Sequence, residues 1–242
     1  MVARAVRIAT YNVHRCVGAD GRYDADRVAE VIRELDVDAV GLQEVDARYH
    51  LQNDQDQIEY LQQATGMNAV PGATLRNHRG YYGNALLTRH PVLAVRHYDL
   101  SLEGRERRGA LDVELDCEGS VVRVIVTHFG LLARERREQV QAILRLVDLG
   151  RPAPLAIVGD FNEWSFINRT VRVLDGRLGR SVAVRSFPTR WPLFALDRLW
   201  VQPRGALEAV WAHMSPQALL ASDHLPVVGR VSAGWGDATQ RT

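Results

Sequence analysis

Short apolar runs alternate along this chain with stretches of helical periodicity. Val6–Val13 reads as a first strand and Ala39–Leu42 as a second. Between them, Val28, Val31, Ile32 and Leu35 recur at the spacing that puts side chains on one helix face, with Asp24 or Asp26 as N-cap. Ile58, Leu61 and Ala64 predict a second helix, stopped at Gly66. Asn84–Thr88 is another strand, ending at His90-Pro91. Leu111, Val113, Leu115 and Cys117 alternate with acidic residues, as on a half-exposed strand. Glu118-Gly119-Ser120 then turns the chain into Val121–Val126, an antiparallel hairpin. Val140, Ile143, Leu144 and Val147 mark a third helix, and Leu155–Val158 is a short, wholly apolar strand. Further strands are expected near Ser181–Ser186, Leu196–Gln202, Leu207–Trp211 and Val227–Val231. Hairpins together with separate helices predict an α/β chain with mixed or antiparallel sheets, not a doubly wound parallel one.

The polar ends of these runs carry the chemistry. IATY ends at Asn12, VGLQ at Glu44, VIVT at His128 and LAIVG at Asp160, with Asn162 two residues on; Asp223-His224 lies in the loop entering PVVGRV. Any one strand must end somewhere polar. Five such ends, all drawn from Asn, Glu, Asp and His, point to side chains converging on one rim of an apolar scaffold. Oxygen donors suit Mg²⁺ or Mn²⁺, with Glu44 the best single ligand candidate. Zinc-type His and Cys spacings, a GxxxxGK[ST] loop and a GxSxG elbow are all missing from the sequence, which disfavours zinc sites, P-loop NTPases and serine hydrolases.

Composition narrows the rest. The 242 residues are 46% hydrophobic and 24% charged with a formal net charge of +1, so no global field draws in nucleic acid or an anionic membrane. Two cysteines make neither a disulfide framework nor a metal cluster. No stretch approaches the roughly 18 apolar residues of a membrane span, and MVARAVRIATYNV lacks the apolar core of a signal peptide. The expectation is a cytoplasmic, monomeric protein with one domain over residues 1–232 and a frayed tail over 233–242.

TYNVH, GLQEVD, GNALLTR, VTHFGL, GDFNEW, LDRLWV and SDHLPVV occur in the order found in the endonuclease/exonuclease/phosphatase superfamily, and the resemblance runs from Ile8 to Val228. RRGAL, THFGL, GDFNEW and SFPTRWPLFALDRLWV resemble a bacterial subgroup encoded beside cardiolipin-synthase-like enzymes. The resemblance implies a DNase I-like four-layer α/β/β/α sandwich, two mixed sheets flanked by helices. It implies metal-site roles for Asn12, Glu44 and Asp223. It implies catalytic roles for His128, Asp160, Asn162, Asp197 and His224, with Asp197 holding His224. Asn84 falls where the family has a residue near the site. A divalent-metal-dependent phosphoesterase hydrolysing a small diester, a phospholipid head group or nucleic acid is the leading reading. A DNase I-like or abasic-site nuclease and a catalytically silent binding module are the alternatives. Whether Asp160 or His224 takes the water proton stays open at this point.

Other features read more simply. Arg134–Arg137 is expected to be the exposed face of a helix start, and Arg105–Arg108 solvated charge in a loop, with Arg108 the member placed to touch a phosphate. Arg79 is a further candidate contact. Phe187, Trp191 and Phe194 read as core packing or, alternatively, an aromatic lip beside the substrate. His14 carries no motif support and reads as a surface or core residue.

Overall fold

The computed structural model describes residues 5–47, 56–77, 80–149, 154–165, 169–232 and Trp235. Strand β1 (Val6–Asn12) runs parallel to β2 (Ala39–Asp46), with helix α1 (Ala25–Leu35) crossing between them. Asp24 caps α1, its carboxylate accepting from Arg27 N at 3.1 Å. Helix α2 (Gln57–Thr65) ends where expected, at Gly66 in the left-handed region (φ 69°). β3 (Asn68–Asn77) and β4 (Gly80–Thr88) follow, and β10 (Leu207–Ala212) and β11 (Val227–Val231) complete a six-stranded sheet ordered β10-β11-β1-β2-β4-β3.

The second sheet is ordered β5-β6-β7-β8-β9. It contains β5 (Val92–Asp99), β6 (Gly109–Cys117), β7 (Ser120–His128), β8 (Leu155–Asp160) and β9 (Asp197–Gln202). The hairpin between β6 and β7 turns through Glu118 and Gly119, both at positive φ (56° and 89°), the geometry a two-residue loop requires. Helices α3 (Ala133–Leu149) and α4 (Arg169–Leu178) cover its outer face, and the short α5 (Ala218–Ala221) packs on α1.

Period-two alternation builds four layers from this order. On β1, Ala9 and Tyr11, and Val13 just beyond it, face α1 and α2, while Ile8 faces the second sheet. On the second sheet, Val124, Val126 and Val158 face the first sheet, while Ile125, Ile157 and Trp200 face α3 and α4. The result is the expected α/β/β/α sandwich. The sheets approach closely at Gly41, where an added Cβ would lie 2.6 Å from Val158 Cγ2 and 2.9 Å from Val126 Cγ1.

Several expectations are corrected. β6 is not half-exposed: Asp112 is 0% exposed, because α3 covers its face of the sheet. It is tolerated there by a bidentate pair with Arg123 (2.8 and 2.7 Å), whose guanidinium also donates to Leu146 O of α3. Ser181–Ser186 forms no strand, since Ser181 N is committed to the Asp175 carboxylate and Ser186 N to Phe194 O. Arg136 is not on an exposed face; it is buried against Glu163 and Leu131 O. In the segment after Ser232, Trp235 is 2% exposed and donates to Gln202 O at 2.7 Å, and its other residues lie outside the described ones.

Candidate active site

The strand ends converge as the alternation demands. Register places His128 of β7 beside Asp160 of β8, and Asp160 beside Asp197 of β9, so three side chains share one face at one rim. The intervening residues face the other way: Phe129, Phe161 and Trp200 stack edge-to-face at 4.8 and 4.7 Å under the helical layer, which fixes these strand ends. The facing rim of the first sheet brings Asn12 and Glu44. A register shift between Leu42 and Val45 lets Glu44 take a left-handed conformation (φ 57°), so β2 continues while Glu44 turns toward the rim.

Asn12 Nδ2 donates to Glu44 Oε1 at 3.1 Å and to Asp160 Oδ2 at 3.2 Å, tying the two sheets together across the cleft. Its own oxygen accepts from His14 N at 3.0 Å, so the amide nitrogen, not the oxygen, faces the cleft. Asp160 Oδ1 accepts from Asn162 N at 2.9 Å, with Asn162 itself left-handed (φ 48°). Asn162 Nδ2 lies 3.1 Å from His128 Nε2 and donates to Phe129 O at 3.0 Å. His224 Nδ1 is 2.8 Å from Asp197 Oδ2, and that oxygen also accepts from Ser186 Oγ at 2.5 Å. Around Asp160 Oδ2 stand two imidazoles, His128 Nε2 at 3.5 Å and His224 Nε2 at 3.9 Å.

Burial makes the electrostatics strong. Desolvation pulls the His224 proton affinity down, but Asp197, Asp160 and Asp223 together outweigh it and its pKa is pushed up to about 10. Burial and the neighbouring Asp197 raise Asp160 to about 6, against the opposing pull of His224. His128 goes well below its usual range, through burial first and then the positive charges of Arg108 and His224. These influences favour an imidazolium at His224, a neutral imidazole at His128 and a carboxylate at Asp160 poised to take a proton.

Of the remaining expected residues, Asp223 is at the rim with 37% side-chain exposure, its Oδ1 3.6 Å from His14 Nδ1. Asn84 is buried and donates to Gly109 O at 3.0 Å, bracing β4 against β6. Arg108 is buried near His128 and held by both oxygens of Glu106 (2.8 and 3.0 Å). Arg79 lies outside the described residues. The aromatic segment divides. Phe187 packs 4.7 Å from the His224 ring and against Trp164, whereas Trp191 is exposed to solvent. Sequence reasoning missed His14, Ser186 and Ser222. Ser222 Oγ donates to Asn12 O at 2.7 Å and accepts from His224 N at 3.2 Å. Their adjacency to TYN and SDH was the available signal for His14 and Ser222.

Two groups of donors here could bind a cation. Asp160, Asp197 and His224 offer ligand atoms within 4.8 Å of one another. In that trio His224 Nδ1 already bonds Asp197 Oδ2 at 2.8 Å, a contact that a metal bound through those two atoms would have to replace. Glu44 and Asp223 are different. Both are carboxylates at the cleft mouth, and neither pairs with an Arg or Lys among the described residues. Such unneutralised oxygen donors fit a hard divalent cation. A larger groove of about 680 Å³ between α3 and α4 lies on the outer helical layer and includes none of these side chains.

The chain and its fold have counterparts. A family model described as the endonuclease/exonuclease/phosphatase family matches residues 9–224. Among curated proteins, the uncharacterized protein YbhP of Escherichia coli K12 is 28% identical in a 240-residue alignment that covers 90% of this chain and 95% of YbhP. Among solved structures, an endonuclease/exonuclease/phosphatase protein of Beutenbergia cavernae aligns with a TM-score of 0.74 at 23% identity, over 95% of this chain and 72% of that one. The mannosyl-6-phosphatase Bt3783 of Bacteroides thetaiotaomicron aligns with a TM-score of 0.76 at 15% identity, over 94% and 99%. These two share the two-sheet sandwich. Members of the matched family are hydrolases of phosphate esters and typically use divalent metals. A match that begins in β1 and ends on His224 takes in every strand that builds the cleft, and on it this chain belongs to the endonuclease/exonuclease/phosphatase family.

Proposed function

We propose that the protein is a divalent-metal-dependent phosphoesterase that hydrolyses a phosphodiester or phosphomonoester by attack of water, with Asp160 as the general base. The observation that carries this is the division of proton affinities in one buried cluster. His224 is locked to Asp197 at 2.8 Å and keeps its proton, while Asp160, 3.9 Å away, is raised to about 6. A carboxylate with a pKa near the working pH is suited to accept the water proton. A permanently protonated imidazole is suited to neutralise charge on the phosphate oxygens. That ordering favours Asp160 over His224 as the base.

The other residues then have defined work. Asn12 and Asn162 fix the Asp160 carboxylate through 3.2 and 2.9 Å hydrogen bonds to its two oxygens, aiming Oδ2 into the cleft. Neutral His128, its Nε2 3.1 Å from Asn162 Nδ2, borders the same oxygen and lines the wall on which a phosphate would sit. Arg108, steadied by Glu106, adds positive potential behind it. Glu44 and Asp223 would hold the cation, Mg²⁺ or Mn²⁺, which when bound supplies Lewis acidity to a phosphoryl oxygen.

The test is hydrolysis of bis(p-nitrophenyl) phosphate with Mg²⁺ or Mn²⁺ and with excess chelator, for wild type and Glu44→Gln. Activity should vanish with chelator. Glu44→Gln should need a higher metal concentration for half-maximal rate while its circular dichroism stays native. Full activity in excess chelator would overturn the metal-dependent reading.

A further inference from the structure

A second pocket, of about 350 Å³, opens beside the cleft on the Glu44 side. Arg15, Thr74, Tyr82, Glu106 and Arg107 line it. Its walls are shared with the site. Tyr82 sits opposite Asp46 in the β2–β4 register, two residues beyond Glu44, and its phenol feels the charges of Glu44, Glu106, Arg108 and Arg15. Glu106 is the residue that holds Arg108, and Arg108 in turn acts on His128.

The turn that presents Arg15 is unusual. His14, Arg15 and Cys16 are three consecutive non-glycine residues at positive φ (44°, 56° and 57°). Such a conformation is strained for a residue with a side chain and persists only where its surroundings over-determine it. Here they do. Gln57 Nε2 donates to Arg15 O at 2.9 Å, Asp24 N to Cys16 O at 2.8 Å, and Cys16 N to Val13 O at 2.8 Å. The strained turn buries Cys16, sets His14 against Asp223 and leaves Arg15 on the pocket wall.

Charge in this pocket is not balanced. Glu106 spends both carboxylate oxygens on Arg108. Arg15 and Arg107 have no carboxylate partner within salt-bridge distance among the described residues, Asp99 lying only close enough to feel the Arg107 charge, and Arg15 Nε is buried with no hydrogen-bond partner among the described residues. Guanidinium groups left unpaired beside an apolar ring and a hydroxyl make a site for a phosphate. The volume admits a phosphate with a few attached atoms and is at the small end of ligand pockets, which begin at roughly 300 Å³.

We propose that this pocket binds a second phosphate of the substrate through Arg15 and Arg107, so that the preferred substrates are compact phosphate esters bearing a second phosphate on the same small molecule. This rests on the phosphoesterase reading above and specifies its substrate class.

The experiment compares thymidine 5′-(p-nitrophenyl phosphate) with the same diester carrying a 3′-phosphate, under Mg²⁺ and Mn²⁺. Release of p-nitrophenol from either compound tests the phosphoesterase reading, and release from neither overturns it. The ratio of their kcat/KM values tests the pocket. Wild type should favour the doubly phosphorylated compound by about tenfold or more, carried mainly by KM, the scale of one charge-assisted hydrogen bond. Arg107→Gln, on an exposed loop, and Arg15→Gln should each bring the ratio toward one. Arg107→Gln keeps the test decisive if Arg15→Gln prevents the strained turn from folding. Turnover of both compounds at equal kcat/KM, or a preference that survives Arg107→Gln, would overturn the second-phosphate pocket and leave the hydrolase reading standing.

Discussion

Asp160 sits under opposed influences. Burial and Asp197 favour its protonated form, while His224, Asn162 N and Asn12 Nδ2 favour the carboxylate. On the proposed mechanism, with Asp160 as the base, kcat/KM should rise with pH through about 6 as that carboxyl loses its proton. His224 works in the opposite sense, since the protonated form is the useful one. With its pKa pushed up to about 10, wild type should show no alkaline loss below about pH 9. Asp197→Asn removes the chief influence that raises it and leaves the burial that lowers it. That variant should lose about 10²-fold or more in kcat, and its alkaline limb should appear between about pH 7 and 9. A pH–rate profile checks both limbs. An Asp197→Asn profile with an unmoved alkaline limb would mean that Asp197 does not set the His224 charge. At this scale the sequence was informative where a residue ends a strand. Asn12, His128 and Asp160 each occupy such an end, Glu44 lies at the bulge where β2 was expected to stop, Asp197, named through the motif resemblance, starts β9, and Asn162 and Asp223-His224 lie in the loops beside them. It was silent on Arg15 and Tyr82, whose positions depend on a left-handed turn and on a bulged β3–β4 pairing, neither of which has a local signature in side-chain pattern.

Elements with a clear period were legible, and the missed ones have physical reasons. β3 carries Pro71-Gly72 and reads as a loop, yet it is an edge strand, where proline's missing donor can face away from the ladder. β5 is also an edge strand, with both faces largely exposed, so its residues show no alternation to read. α4 mixes β-branched residues with Gly176 and is helical through packing on α3 rather than propensity. β6 misled in the other direction, because acidic residues in alternation look solvent-facing until the partner Arg123 is known. The Asp112–Arg123 pair gives a measurement at this scale. Asp112→Leu alone strands a buried guanidinium and should destabilise the protein by about 3–5 kcal/mol. Asp112→Leu with Arg123→Met removes both charges and should recover most of that loss. Denaturant unfolding of the two variants decides it: a double variant no more stable than the single one would mean the pair is not the cause.

For the whole molecule, the relevant dimension is the gap between the sheets. Asn12 and Glu44 come from one sheet, His128, Asp160 and Asp197 from the other, and Asn12 spans the two with hydrogen bonds of 3.1 and 3.2 Å. Four-layer architecture could be inferred from hairpins, helices and ordered motifs, but this spacing could not, since it depends on close approaches between the sheets, among them Gly41 against Val126 and Val158, Gly72 against Leu111 and Gly229 against Leu199. Gly41→Ala should cost about 1–3 kcal/mol by overpacking, a fall of roughly 2–10 °C in Tm for a chain of this size. It should also lower kcat more than it raises KM, because the base and its positioning amide move apart. Adding Val158→Ala makes room for the new methyl and should restore part of both. Thermal melts and steady-state kinetics on the single and double variants test this, and a Gly41→Ala enzyme with a lowered Tm but unchanged kcat would uncouple the gap from catalysis.

The bare α-carbon at Gly41 therefore works as a feeler gauge. It lies in the middle of β2, beneath the cleft, and touches nothing that reacts. If the protein hydrolyses phosphate esters as proposed, whatever wedges the sheets there, a methyl group, a repacked valine or a small apolar molecule lodged between β2 and β8, should slow that reaction without entering the cleft. Turnover becomes a readout of core thickness, and inhibition can be sought in the interior of the sandwich as well as at its rim.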